Sequence, residues 1–313
     1  METVTQLRTG LWQISLPFQG EPGIIGSYLL ADQEQLLLID PGPTTTLPAL
    51  LDTIHETGHT PEAITHILLT HIHLDHAGAT GNLLQYTPQA KVYVHRLGAP
   101  HLLDTTKVVA SATRIYGERM QTLWGEIRSV PAHRLSVLEH GDTLPLSDRF
   151  LEIYYTPGHA IHHISFFDPR ARDLFAGDVA GVRLQGVDYV RPPTPPPDLD
   201  LEAWVESIQI LRKLQPSALY LAHFGPTYEV EQHLERLLTK LFQWGDLILQ
   251  GLRAGKNESE LLELLISQTQ PELLSVAHDP QALLRYEIAT NYRMTVQGYT
   301  RYWQKKNPER LKP

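Results

Sequence analysis

The sequence predicts a layered α/β protein, two sheets with helices outside, followed by a helical C-terminal region. Three observations carry that expectation. Short apolar strand-like segments alternate with helix-patterned ones through residues 1–228. From residue 229 onward the apolar positions fall at helical spacing instead. Several apolar strands are also followed at once by polar, histidine-bearing loops. Alternation alone would equally suit a doubly wound sheet, and that arrangement stays open at this level.

The elements follow in order. "LWQISLPF" (11–18) reads as a strand, and "GSYLLADQEQLLLIDPG" (26–42) as a hairpin that turns at its polar centre and closes at Pro41-Gly42. Residues 44–58 place Leu47, Leu50, Leu51 and Ile54 on one helical face, with Gly58 as a stop. "ITHILLT" (64–70) is a short buried-type strand. A helix over 77–88 and a strand at "KVYVH" (91–95) come next. Residues 97–130 carry few strand signals and read as a helical insertion. Strand patterns return in "RLSVLEHG", "FLEIYYTPGH", "HHISFFD" and "DLFAGD". The stiff, extended "RPPTPPPD" (191–198) is either a linker or a pocket wall. A helix at 201–214 and a strand in "ALYLAHFG" precede the helical region 229–313. There Leu234, Leu237, Leu238, Leu241 and Ile248 keep helical spacing, and so do Leu284, Ile288, Tyr292, Tyr299 and Trp303 in one last segment. The aromatic stripe Tyr292, Tyr299 and Trp303 fits a core face or, alternatively, a homodimer interface.

Composition narrows the function. The 313 residues are 42% hydrophobic and 19% charged, ordinary values for a globular protein. A net charge of -9 argues against a general nucleic-acid binder. With no cysteine, disulfides, thiolate nucleophiles and thiolate ligands are excluded, so any metal is held by nitrogen and oxygen. No secretory pattern opens the sequence, and its apolar runs are too short to span a bilayer. A cytoplasmic protein with no membrane partner is the expectation.

Residues 70–78 read "THIHLDHAG". His71 and His73, two apart at a strand end, point the same way in extended chain and can meet one ion. Asp75 and His76 follow as the chain turns and can face a second. Such a cluster could instead be a solvated helix-capping loop, but four metal-type side chains after an apolar strand favour a metal. Two ions need further ligands. His159 follows a strand and a Pro-Gly turn in "TPGH", Asp178 follows another in "FAGD", and His223 a third in "LAHFG". Any one of these could be an incidental cap. Together they make five histidines and two aspartates on strand-end loops.

This combination resembles the metallo-β-lactamase fold superfamily. "THIHLDH" is its H-x-H-x-D-H signature, and the later "PGH", "GD" and "HFG" elements keep its order. The resemblance covers about residues 5–228 and implies a four-layer αββα sandwich with metals in a cleft at one edge of the sheets. It implies His71, His73 and His159 on a first divalent ion, Asp75, His76 and His223 on a second, and Asp178 bridging both. Zinc is the default, and iron or manganese also suit these donors. Asp40 in "LLIDPG" matches a position that supports the ligand loops and orients a histidine. The implied reaction is hydrolysis by a hydroxide bridging two metals, with Asp75 orienting the nucleophile or accepting its proton. His162 and His163 are expected to point to opposite sides, outside the ligand set, and His95 to support it from behind. His55, His59, His66, His101, His133, His140, His233 and His278 read as surface or ordinary hydrogen-bonded residues.

The substrate is less determined, because fold and metals do not set it. A small-molecule thioester, as in a glyoxalase II-like hydroxyacylglutathione hydrolase, fits the chain best. A lactone is the alternative, then the phosphodiester or RNA cleaved by other members of the fold. A non-catalytic, metal-stabilised binding protein is the rival class. Tyr28, Arg114, Tyr116, Tyr189 and Arg191 are the candidate pocket residues, read as lying in the insertion or near ligand segments.

Overall fold

The computed structural model describes residues 2–311. The chain forms two compact units. The first runs up to Tyr155 and takes back His162–Gly177; the second comprises Thr156–Ile161 and the chain from Asp178 onward. The expected division at 228/229 therefore differs from the observed packing, because the loops and hairpin between 178 and 228 cluster with the C-terminal helices rather than with the first unit.

The first unit is built on a seven-stranded sheet in sequential order. Its strands are β1 (Val4–Arg8), β2 (Leu11–Phe18), β3 (Glu21–Asp32), β4 (Gln35–Ile39), β5 (Ile64–Leu68), β6 (Lys91–His95) and β7 (Leu135–Leu138). β1 to β4 form an antiparallel meander, whereas β4 to β7 pair in parallel. Parallel neighbours need a crossover, and the helix Leu47–Glu56 supplies the first. The central strands are near-continuous apolar runs, as in "QLLLI", because both faces are covered. Four antiparallel strands of the second sheet follow: β8 (Thr143–Pro145), β9 (Phe150–Tyr155), β10 (Ile164–Asp168) and β11 (Asp173–Gly177). β10 and β11 are buried throughout. Tyr28 of β3 meets Phe175 of β11 edge-on at 5.5 Å across the sandwich core.

The two sheets of this unit have distinct poles. At one, Arg149 bridges Asp32 (3.3 Å) and Asp168 (3.0 Å), and Arg8 pairs with Asp173 (2.6 Å). At the other, β4 and β5 both end, so Asp40 and Thr70 come side by side. The 97–130 insertion is helical as expected, in three pieces: Ala99–Leu103, Thr106–Tyr116 and Met120–Trp124. The expected helix over 77–88 is instead two single turns, Leu74–Ala77 and Thr80–Leu83.

The second unit contains a turn at Asp178–Ala180, the helix Leu201–Leu214 and the hairpin β12 (Ala218–Leu221) and β13 (Gly225–Thr227). Four helices complete it: Val230–Arg253, Glu258–Val276, Ala282–Ala289 and Tyr292–Lys305. The single segment expected over 284–303 is two helices. Asn291 breaks it by taking an extended conformation and accepting a bond from Met294 N, an N-cap that starts a new helix. Within this unit Tyr292, Tyr299 and Trp303 are buried, with Tyr299 Oη donating to Leu241 O and Trp303 Nε1 to Gly245 O. The aromatic stripe is core, so it is not available as a dimer face. No helix of the described residues is long and apolar enough to cross a membrane.

Gly298 lies inside the last helix, where glycine is the poorer choice on propensity. Its place is explained by a close approach. A Cβ there would sit 1.9 Å from the carbonyl oxygen of Thr194. Gly298→Ala is expected to destabilise the protein by about 1–3 kcal/mol through overpacking against backbone, outweighing the gain in helix propensity. Denaturant unfolding checks this; an unchanged midpoint would remove the contact from the account.

Candidate metal centre

The first unit presents four of the expected ligands on one turn. β4 ends at Ile39, and Asp40 takes a positive φ of 52°, which turns its side chain back toward the end of β5. Its buried carboxylate accepts from Thr70 N (2.8 Å), Thr70 Oγ1 (2.6 Å) and His76 Nδ1 (3.0 Å). The expectation that Asp40 orients a histidine thus has a definite geometry here: a ring that donates from Nδ1 keeps its Nε2 lone pair for a metal. Thr70 Oγ1 also lies 3.1 Å from His71 Nδ1. His71 Nε2 and His73 Nδ1 are 3.0 Å apart, and His76 Nε2 is 3.6 Å from Asp75 Oδ2. His73 caps the single turn Leu74–Ala77, its carbonyl accepting from the backbone of His76 and Ala77. That turn carries Asp75 and His76 round beside His71, whose ring centroid is 3.9 Å from that of His76.

The second unit presents the other three. Gly158, at a φ of 133°, lets the chain pass Trp204 where a Cβ would come within 2.4 Å of its Cα. His159 follows, donating from Nδ1 to Pro193 O at 2.8 Å. Its Nε2 is 3.4 Å from Asp178 Oδ2, and His223 Nε2 is 3.6 Å from Asp178 Oδ1. The turn bearing Asp178 is gripped from both sides. Trp204 Nε1 donates to Val179 O, and His233 Nε2 to Ala180 O, each at 2.7 Å. Burial pushes His233 down to about 4, so its ring is neutral at ordinary pH and serves as a fixed donor.

These donors fit a divalent metal. A Zn–N bond of about 2.0–2.1 Å places two ligands of a tetrahedral ion ~3.3 Å apart, close to the spacings within each set. The donors are nitrogen and carboxylate oxygen only, and His71, His76, His159, Asp178 and His223 are all buried. Concentrating imidazoles and carboxylates in the interior is expensive without a cation to share.

Two histidines depart from expectation. His162 and His163 do not alternate, because they precede β10 in a turn rather than lying within the strand. Both are buried in the first unit beside the ligand turn. Ile72 N–H points at His162 Nδ1 (3.4 Å), and the His163 ring lies 5.1 Å from that of His71. Gly177 makes the room, since a Cβ there would meet His163 Nε2 at 2.6 Å. His95 is buried and stacked on Tyr155 at 4.5 Å, and burial lowers its pKa.

The pocket expectations divide. Tyr28 is a buried strand residue of the sandwich core rather than a pocket residue. Tyr189 and Arg191 are also interior: Lys240 Nζ lies 3.9 Å over the Tyr189 ring, and Arg191 pairs with Glu287 at 2.9 Å. Their assignment to a pocket surface is corrected, since the C-terminal helices cover both. Arg114 is exposed on the insertion helix Thr106–Tyr116. Tyr116 ends that helix edge-on to Trp124 at 5.1 Å. Burial, and next the nearby Asp75 carboxylate, hold its phenol far above its usual range. Thr70 and Trp204 escaped the sequence reading, whereas His233 is hydrogen-bonded to Ala180 O, in line with the ordinary role expected of it. Thr70 alone had a signal, its place beside His71 at the end of β5.

The family model of the metallo-beta-lactamase superfamily matches residues 20–223. A metallo-beta-lactamase fold-containing protein, ST1585 of Sulfurisphaera tokodaii, is 29% identical over 226 residues, covering 70% of this chain and 80% of that protein. Its crystal structure superposes with a TM-score of 0.61 at 27% identity, over 74% of this chain and 86% of the other. The Thermus thermophilus family protein TTHA1429 shares the fold at 21% identity with a TM-score of 0.69, over 96% of this chain and 95% of that one. Thioesterase pkgB of Emericella nidulans is 24% identical over 214 residues, 68% of this chain and 50% of that protein, so the chain spans half of that relative's length. The signature loops, the two-sheet sandwich and a family match over most of the chain lead to one conclusion: this chain belongs to the metallo-β-lactamase superfamily.

Proposed function

We propose that the chain is a binuclear metal-dependent hydrolase of ester-type carbonyls, with a thioester as the first candidate substrate. One observation carries the reading. His159 and His223 both aim Nε2 at the carboxylate of Asp178, while the opposite nitrogen of His159 is tied to a backbone carbonyl. A ring held in that tautomer offers a lone pair, not a proton, to whatever lies between it and the carboxylate.

In this reading His71, His73 and His159 would hold one ion and Asp75, His76 and His223 the other, with Asp178 shared between them, as the family resemblance implies. The bound ions would lower the pKa of a shared water to about 7 and polarise the substrate carbonyl. The protein's residues do the rest. Asp40 keeps His76 in the ligating tautomer by accepting its Nδ1–H. Asp75, whose side chain is 22% exposed, can orient the attacking water and take up its proton. Tyr116, protonated at neutral pH, can donate to a substrate oxygen, and exposed Arg114 can meet an anionic group on the acyl carrier. The predominantly hydrolytic character of the superfamily supports hydrolysis, and the thioesterase relative supports the thioester. Lactones and phosphodiesters are the competing substrate classes.

Purified protein is expected to carry close to two divalent ions per chain, with zinc, manganese and iron compared by elemental analysis. On a panel of thioesters, lactones, phosphodiesters and β-lactams, thioesters should turn over fastest. The double variant His71→Ala, Asp178→Ala should lose both metal and hydrolysis. Full activity in that metal-free variant would sink the reading. Asp40→Asn should weaken metal binding roughly 10–100-fold with the fold retained. One orientation of the amide sets its N–H₂ against the Thr70 backbone N–H and the other against His76 Nδ1–H, although the Thr70 hydroxyl can turn to accept. Chelator competition measures it, and wild-type affinity would remove Asp40 from the mechanism.

A further inference from the structure

His159 takes its orientation from one bond, Nδ1–H to the carbonyl of Pro193. That carbonyl sits in a proline-rich strap, residues 183–199, which has little regular structure beyond an isolated bridge between Val182 and Arg191. Irregular segments with few bonds of their own do not hold a carbonyl at a fixed point. The strap is held from outside, by the C-terminal helices of the same unit.

The grip is repeated along its length. Tyr286 Oη donates to Tyr189 O at 2.5 Å and accepts from Leu184 N at 3.2 Å. Arg191 is 0% exposed, ion-paired to Glu287, and lies 3.8 Å over the ring of Tyr292. The carbonyl of Thr194 packs on the bare face of Gly298, and Arg301 Nε donates to Pro197 O at 3.2 Å. Pro193 lies between these fixed points. A buried guanidinium is a costly way to fill space, since apolar side chains of similar volume stabilise a core at least as well. What arginine adds is direction: a planar fork locked by one carboxylate and one ring face. The backbone N and O of Arg191 also bond to Val182 (both 2.9 Å), four residues after Asp178.

The geometry points to the C-terminal helices as a positioning frame for the metal ligand His159. Tyr286 and the Arg191–Glu287 pair hold the strap so that the Pro193 carbonyl stays within bonding distance of His159 Nδ1. Tyr286, Arg191 and Glu287 are positioning residues, acting on the ion only through Pro193 and His159. The inference rests on the metal reading proposed above. Loosening the strap frees the imidazole to rotate, which weakens and distorts metal binding before it unfolds the protein.

The test uses the full chain and two variants of the frame. Tyr286→Phe deletes only a hydroxyl, and Arg191→Lys keeps the charge but loses the fork. Tyr299→Phe is the control, removing an equally buried hydroxyl whose bond to Leu241 O stays within the helices. Zinc affinity is measured by chelator competition, and the ligand field by the visible spectrum of the cobalt(II) protein. Both frame variants are expected to bind roughly 10-fold more weakly, with shifted cobalt bands. Tyr299→Phe should lose thermal stability yet bind as wild type. If Arg191→Lys does not fold, Tyr286→Phe alone decides. Wild-type affinity and spectrum in Tyr286→Phe, or an equal loss in Tyr299→Phe, would overturn the positioning role. A wild-type protein that binds no metal would instead overturn the metal reading itself.

Discussion

The carboxylate of Asp40 is the junction on which the first unit's chemistry depends. It sits where two parallel strands end together and accepts three hydrogen bonds, two from Thr70 and one from His76. The strand ends are thereby pinned, and the turn they feed is held in register. A buried carboxylate is tolerable only when its lone pairs are met in this way. Because one of the donors is an imidazole, the same bonds that stabilise the loop also choose the histidine tautomer. Structure and site chemistry are joined through a single side chain.

The second unit solves a harder problem. Its candidate ligands lie on separate turns and loops rather than on one motif, and of the three only His223 sits within a strand hairpin, between β12 and β13. Side-chain donors substitute for backbone ladders: Trp204 on Val179, His233 on Ala180, Tyr286 on Tyr189. Each donor comes from a helix, and a helix keeps its geometry through internal bonds. The C-terminal helices therefore contribute directed hydrogen bonds as well as apolar burial. This also accounts for a glycine at 298 and a buried arginine at 191, neither of which helix propensity or hydrophobicity would select.

Much of this was legible in the amino-acid order, and particular residues show why. The strands β2 to β6 were readable because apolar periodicity and turn residues are local signals. The candidate ligand histidines and aspartates stand out because they fall in loops after apolar strands and carry metal-type donors. Tyr189 and Arg191 misled for a matching reason. Proximity in sequence to Asp178 suggested a pocket, but what covers them comes from helices about 50 to 100 residues further on. His162 and His163 break the alternation expected of a strand because they precede β10, which begins at Ile164.

What the sequence determined alone is the donor chemistry: no cysteine, hence nitrogen and oxygen ligands, and a H-x-H-x-D-H turn at a strand end. Residue type and short-range spacing are enough for that, since they depend on covalent neighbours. Only the tertiary structure decided which nitrogen of His76 and of His159 is committed and which is left for a ligand. It also decided which aromatic and basic residues face the interior. Those outcomes depend on partners far apart in the chain, such as Asp40 with His76 or Arg191 with Glu287, and folding alone brings them within hydrogen-bond reach.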